Sequence, residues 1–76
     1  MGLKLFTKLG CGPCVPIKRI AERVEGCEII SLDEHPECIE QYKLMSTPTL
    51  VVETDDDTDV IVTPALIMER LRKEII

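Results

Sequence analysis

The sequence predicts a small α/β fold in the order β-α-β-α-β-β-α, a four-stranded mixed sheet with three helices. Three observations carry that reading. Residues 3–9 (LKLFTKL) alternate, with Leu3, Leu5, Thr7 and Leu9 facing one way and Lys4, Phe6 and Lys8 the other. Ile17, Ile20, Ala21 and Val24 then fall at helical spacing, opposite Lys18, Arg19, Glu22 and Arg23. Finally, strand-like and helix-like stretches keep alternating to the end of the chain.

Each element has its own signals. The first strand breaks at Gly10. Pro13 and Pro16 are tolerable only if the first helix begins near Pro13, because first-turn N–H groups have no internal partner. Gly26 ends that helix. Residues 27–32 (CEIISL) read as a second strand. A short helix follows over about 34–42, with Asp33 as N-cap. Residues 49–53 form a third strand, Asp55-Asp56-Asp57 a turn, and residues 59–62 a fourth strand. Thr63-Pro64 is a cap followed by proline at the first helical position, and Leu66, Ile67, Leu71 and Ile75 give the last helix its apolar face. The first βαβ unit should be parallel and right-handed, and the last two strands an antiparallel hairpin.

With 76 residues, the expected organisation is a single domain over 1–76. Hydrophobic residues make up 45%, with one Phe, one Tyr and no Trp, so the core must be aliphatic. The net charge is −5 and the basic residues form no stripe, which argues against nucleic acid as a partner. No charged leader precedes a long apolar run, and no apolar run approaches membrane-spanning length. The expectation is a cytoplasmic monomer in a compartment where thiols stay reduced.

Four cysteines sit at 11, 14, 27 and 38. A Cys11–Cys14 bridge closes too small a loop to serve as a structural staple. A CxxC pair in a reduced compartment is better read as redox or metal chemistry. Cys11-Gly12-Pro13-Cys14 lies at the carboxyl end of the first strand and opens the first helix, where open α/β sheets place their sites. The helix's free N–H groups favour a thiolate at Cys11. Gly12 lets the backbone turn tightly, and Pro13 fixes φ where a donor would be idle. Attack by Cys11 on a disulfide gives a mixed disulfide, which Cys14, one turn away, resolves intramolecularly.

These residues resemble the thioredoxin family, whose active-site tetrapeptide is CGPC. The similarity continues through Asp33, Pro36, Tyr42, Thr47-Pro48-Thr49-Leu50 and Ala65-Leu66. It spans nearly the whole chain, without the extra N-terminal strand and helix of full-length thioredoxins. It implies a minimal thioredoxin fold and protein-disulfide reductase activity. Cys11 would be the nucleophile and Cys14 the resolving residue, with no cofactor or metal beyond the redox-active disulfide. It also implies a cis bond before Pro48, main-chain contacts from Thr47 to a bound peptide, and a groove wall at Thr63 and Pro64. Partners would be disulfide-containing proteins, with a thioredoxin reductase or glutathione as electron donor. A fall in thiol pKa from about 8.5 to about 7, the value usual in thioredoxins, raises the thiolate fraction roughly 15-fold. The lower basicity returns about 4–6-fold, so exposure and the geometry of Cys14 matter more.

The sequence also departs from the family. Gly10 stands where thioredoxins have Trp, Pro64 where they have glycine, and Leu5 and Ile29 where they bury an Asp and a Lys. No buried carboxylate is then expected to deprotonate Cys14. The first helix looks as short as in glutaredoxins, and a glutathione-dependent reductase is the alternative enzyme, although the glutaredoxin Gly-Gly motif is missing. A CxxC metal carrier fits less well, because Leu9 replaces the Met of copper chaperones. Cys27 and Cys38 read as small buried hydrophobes. Asp55, Asp57 and Asp59 lack the Gly and closing Glu of a calcium loop. His35 reads as a helix-entry residue and Tyr42 as packing.

Overall fold

In the computed structural model, which describes residues 2–75, the elements follow one another in the expected order. The elements are β1 (Gly2–Thr7), α1 (Cys14–Ala21), β2 (Cys27–Ser31), α2 (Glu37–Gln41), β3 (Thr49–Glu53), β4 (Thr58–Ile61) and α3 (Pro64–Glu74). The sheet order is β2-β1-β3-β4. β1 and β2 are parallel, and the β1–β3 and β3–β4 pairs are antiparallel.

Period-two alternation in β1 and β3 divides the interior into two cores. Leu3 and Leu5 of β1 join Leu50 and Val52 of β3 beneath Ile17 and Ala21 of α1 and Ile67 and Leu71 of α3. Phe6 and Val51 point to the other face and pack with Leu32 and Leu44. Burying each such aliphatic side chain is worth about 1.5–3 kcal/mol relative to leaving it exposed. The site-bearing loop after β1 is therefore anchored at its base from both sides.

Several boundaries differ from the sequence expectations, for local reasons. β1 stops at Thr7, so Leu9 does not continue the strand face and is 82% exposed. α1 begins at Cys14, with Pro13 in the capping position before it. Pro16 then falls at the third helical position, where its missing N–H is no loss. After Ala21 the chain tightens through Arg23 N–H to Ile20 O and Val24 N–H to Ala21 O, and turns at Gly26 with φ +83°.

α2 is shorter than 34–42, and Asp33 does not cap it. Pro36 disfavours helical geometry at His35, so the helix starts only at Glu37. Its end is fixed by Lys43 at φ 54° and by Leu44 N–H donating to Ile39 O at 2.8 Å. β4 runs one residue earlier than expected, because Thr54 and Asp57 close the hairpin through reciprocal bonds. Pro64 opens α3, but the Thr63 side chain makes no capping bond. Leu66 is exposed. The inward face of α3 is Ile67 and Leu71, four residues apart, flanked by Met68 and Ile75.

Candidate active site around Cys11 and Cys14

Residues 8–13 leave the sheet between β1 and α1 and carry the CGPC segment. Gly10 adopts φ +79°, a conformation that a side chain would strain. Cys11 N–H then donates to Lys8 O, and Cys14 N–H donates to Cys11 O, so the segment coils directly into α1. The two sulfurs are bonded to each other, with Cα atoms 5.4 Å apart. Cys11 is partly exposed, whereas Cys14 is 4% exposed and packs inward as the first residue of α1. Gly12 and Pro13 lie between them on the surface. A cysteine pair held this way leaves one sulfur open to thiol–disulfide exchange and shields the other.

The disulfide borders a cavity of about 340 Å³ that extends past Lys8 and Leu9 to Lys18, Ser31 and Glu34. A second cavity of about 180 Å³ lies on the other side of Lys8, between Asp33, Met45 and Thr47. The Thr47–Pro48 peptide bond is cis. Pro48 is buried, and Thr49 Oγ1 beside it donates to Ser46 O at 2.7 Å. Thr47 is partly exposed and lines the second cavity, which shares Lys8 with the cavity at the disulfide. Thr63 and Pro64 are exposed and line neither of these two cavities.

The environment beneath the pair is apolar. Leu5 is fully buried and stands opposite Ile29 in the β1–β2 register. Lys8 is exposed, in the loop just past the end of β1. Among the described residues, no group of three or more His, Cys, Asp or Glu side chains could hold a metal ion. Asp55, Asp57 and Asp59 are exposed around the hairpin turn, where Asp57 Oδ1 accepts from Thr58 N–H. Cys27 and Cys38 are free and only partly buried, less enclosed than expected. Burial, with the Glu28 carboxylate second, raises the Cys27 thiol above its ordinary 9.0. His35 is exposed and pairs with Glu37.

Two features join segments too distant for sequence patterns to show. Leu9 N–H donates to Asp33 Oδ2 at 2.7 Å, linking the CGPC loop to the β2–α2 turn. On the opposite face, Lys4 Nζ donates to Tyr42 Oη at 2.8 Å and lies 3.0 Å from Glu53 Oε1. That carboxylate oxygen is closed off from solvent without a well-formed hydrogen bond, and the ion pair with Lys4 compensates it. Tyr42, chiefly, and Glu53 hold the Lys4 ammonium charged well above its ordinary range.

Comparison with known proteins places this geometry. No protein-family model matches the chain. A thioredoxin of Staphylococcus epidermidis is 37% identical over 65 residues, covering 74% of this chain and 62% of that thioredoxin. The chain therefore spans less than two thirds of the curated relative's length. The thioredoxin structure of Trypanosoma brucei brucei superposes with a TM-score of 0.70 at 20% identity, covering 95% of this chain and 72% of that one. A solved thioredoxin-like protein of nearly the same extent superposes with a TM-score of 0.64 at 22% identity, covering 93% of this chain and 96% of its own. At these identities the solved structures establish the fold.

Proposed function

We propose that this chain, which is similar to thioredoxins, belongs to that family and reduces protein disulfides through Cys11 and Cys14 as a single thioredoxin-like domain over residues 1–76. One observation carries the proposal: a partly exposed Cys11 and a buried Cys14, bonded to each other at the start of α1.

In the reduced protein the Cys11 thiolate attacks one sulfur of a substrate disulfide. The substrate S–S bond breaks, a Cys11–substrate disulfide forms, and the other substrate sulfur leaves as a thiolate. Cys14, after losing its proton, attacks Cys11 Sγ. The Cys11–Cys14 bond forms, and the substrate departs with two thiols and two electrons. The partial positive charge before α1 favours the Cys11 thiolate. Gly12 and Pro13 shape the turn that sets the two sulfurs together. Thr47 and Pro48 offer the neighbouring edge to an extended substrate segment, whereas Thr63 and Pro64, outside both cavities, would meet only a longer segment that runs past them. No cofactor or metal enters these steps. The working partners are disulfide-bearing proteins and an electron donor that returns the disulfide to the dithiol. The chain works as a cytoplasmic monomer.

A thioredoxin-type reductase fits better than glutathione as the donor, because the Gly-Gly motif of glutaredoxins is missing after β4. The test is insulin reduction, run with NADPH and a thioredoxin reductase and separately with glutathione and its reductase. Turnover in the first system supports the reading. Turnover only in the second transfers the protein to the glutathione-dependent class. Failure in both, with reduced protein also inert toward insulin, overturns the reductase reading.

A further inference from the structure

The loop that presents Cys11 has little of its own to hold it. Residues 8–10, 12 and 13 are all exposed, and Cys11 is only partly covered. A Cβ placed on Gly10 or Gly12 would meet nothing within 4 Å, so the space on that side of the backbone is open. The internal bonds are long: 3.4 Å from Cys11 N–H to Lys8 O, 3.3 Å from Cys14 N–H to Cys11 O, and 3.2 Å from Val15 N–H to Gly12 O. In the oxidised state the disulfide supplies a covalent tie. In the dithiol, the state that attacks substrate, that tie is gone.

One contact from outside the segment remains. The Asp33 carboxylate accepts the Leu9 N–H at 2.7 Å, across 24 positions of sequence. Among the described residues, it is the one hydrogen bond that reaches residues 8–13 from another part of the fold. The turn carrying Asp33 is itself firmly placed. Leu32 is buried in the α2-side core, its N–H donates to Thr7 O at 2.8 Å, and His35 N–H donates to Ser31 O at 2.9 Å. Asp33 is thus a fixed acceptor next to a loosely held loop. It does not cap α2 and is absent from every ion pair among the described residues.

We infer that Asp33 is a positioning residue for Cys11: by holding the Leu9 N–H it fixes the path of the loop in the dithiol state, when the disulfide no longer does so. The inference rests on the reductase reading and adds a residue that acts through the backbone, without touching substrate. The hydrogen bond needs an oxygen acceptor at this position but not a negative charge. That separates positioning from simple electrostatics. A charge effect is removed equally by Asn and Ala, whereas positioning survives in Asn, whose amide oxygen can accept the same bond.

The experiment measures single-turnover insulin reduction by pre-reduced wild type, Asp33→Asn and Asp33→Ala. It also follows Leu9 amide hydrogen exchange and the Cys11 thiolate absorbance against pH. The expected result is an attack rate about tenfold lower in Asp33→Ala, the order of loss that small misplacements of a reacting group produce. Asp33→Asn should stay within about twofold of wild type, since its amide oxygen restores the bond. Leu9 exchange should be protected in wild type and Asn and open in Ala, with the other core amides unchanged. Equal rates in Ala and wild type overturn the inference. So do equal losses in Asn and Ala that follow a shared shift of the Cys11 titration. If wild type itself fails to reduce insulin, the reductase reading falls instead, and the Leu9 exchange still decides whether Asp33 holds the loop.

Discussion

Leu5 of β1 stands directly opposite Ile29 of β2, and Leu5 is completely buried in the core under α1. The family resemblance implies a buried Asp and Lys at these two positions, and here both are apolar together. In the proposed mechanism Cys14 would then lose its proton without help from a carboxylate at position 5. The rate of mixed-disulfide resolution should rise with pH as one thiol titration. A further inflection from a carboxylate of raised pKa, measured by rapid mixing across pH 5–10, would reveal a base that the apolar pair does not supply. Leu5→Asp alone should cost about 3–5 kcal/mol in urea unfolding, because it strands an unpaired carboxylate in the core. Adding Ile29→Lys should recover part of that loss. Wild-type stability in the single variant would contradict the apolar assignment.

Cysteine reactivity should follow exposure. In the reduced protein at pH 7, iodoacetamide should label Cys11 first, roughly tenfold ahead of any other cysteine. Cys14 is shielded, and Cys27 stays protonated because its thiol is raised by burial and by Glu28. Peptide mapping of partially alkylated protein reads the order directly. Cys14→Ser should accumulate mixed disulfides with substrate, whereas Cys11→Ser should not. Labelling of Cys14 ahead of Cys11 would reverse their roles.

The Lys4 ammonium, beneath the Tyr42 hydroxyl and beside Glu53, is a stabilising contact remote from the disulfide. It also lies 5.3 Å from the centre of the Tyr42 ring, which packs tilted against Phe6 with ring centres 5.1 Å apart. Tyr42→Phe keeps the ring packing and removes one hydrogen bond to a charged donor, so a loss of about 1.5–3 kcal/mol is expected, toward the lower end because the site is only part-buried. The folded-state pKa of Lys4 lies above its ordinary 10.5. The added stability is therefore fully present below pH 10.5 and is lost as pH rises from there through the folded value. The gap in melting temperature between wild type and Lys4→Met should stay constant from pH 7 to 10 and shrink above that. A gap that changes near neutrality would point to another titrating group.

The order of elements and the place of CGPC were legible in the sequence because they depend on local periodicity. Alternation in β1 and the helical stripe of Ile17 and Ala21 need no knowledge of neighbours. The cis Thr47–Pro48 bond was expected from family resemblance, and it is present. Errors arose where a local rule met a stronger constraint. Asp33 is a good N-cap residue, but Pro36 delays α2, and the freed carboxylate bonds Leu9 instead. Leu9 and Leu66 extend apolar patterns beyond the point where the chain leaves the core. Lys4, Tyr42 and Glu53 come from β1, the end of α2 and β3, so only tertiary packing brings them together.

Stoichiometric transfer between the reduced protein and insulin tests the central claim most directly. Protein freed of reductant is mixed with insulin, quenched in acid and analysed by mass spectrometry with disulfide mapping. The prediction is a loss of two hydrogens per chain, a new Cys11–Cys14 bond and two free thiols on insulin for each bond formed, with Cys27 and Cys38 still reduced. Transfer of equal extent by the Cys11→Ser, Cys14→Ser double variant, or oxidation mapped to Cys27 or Cys38 in the wild type, would contradict it.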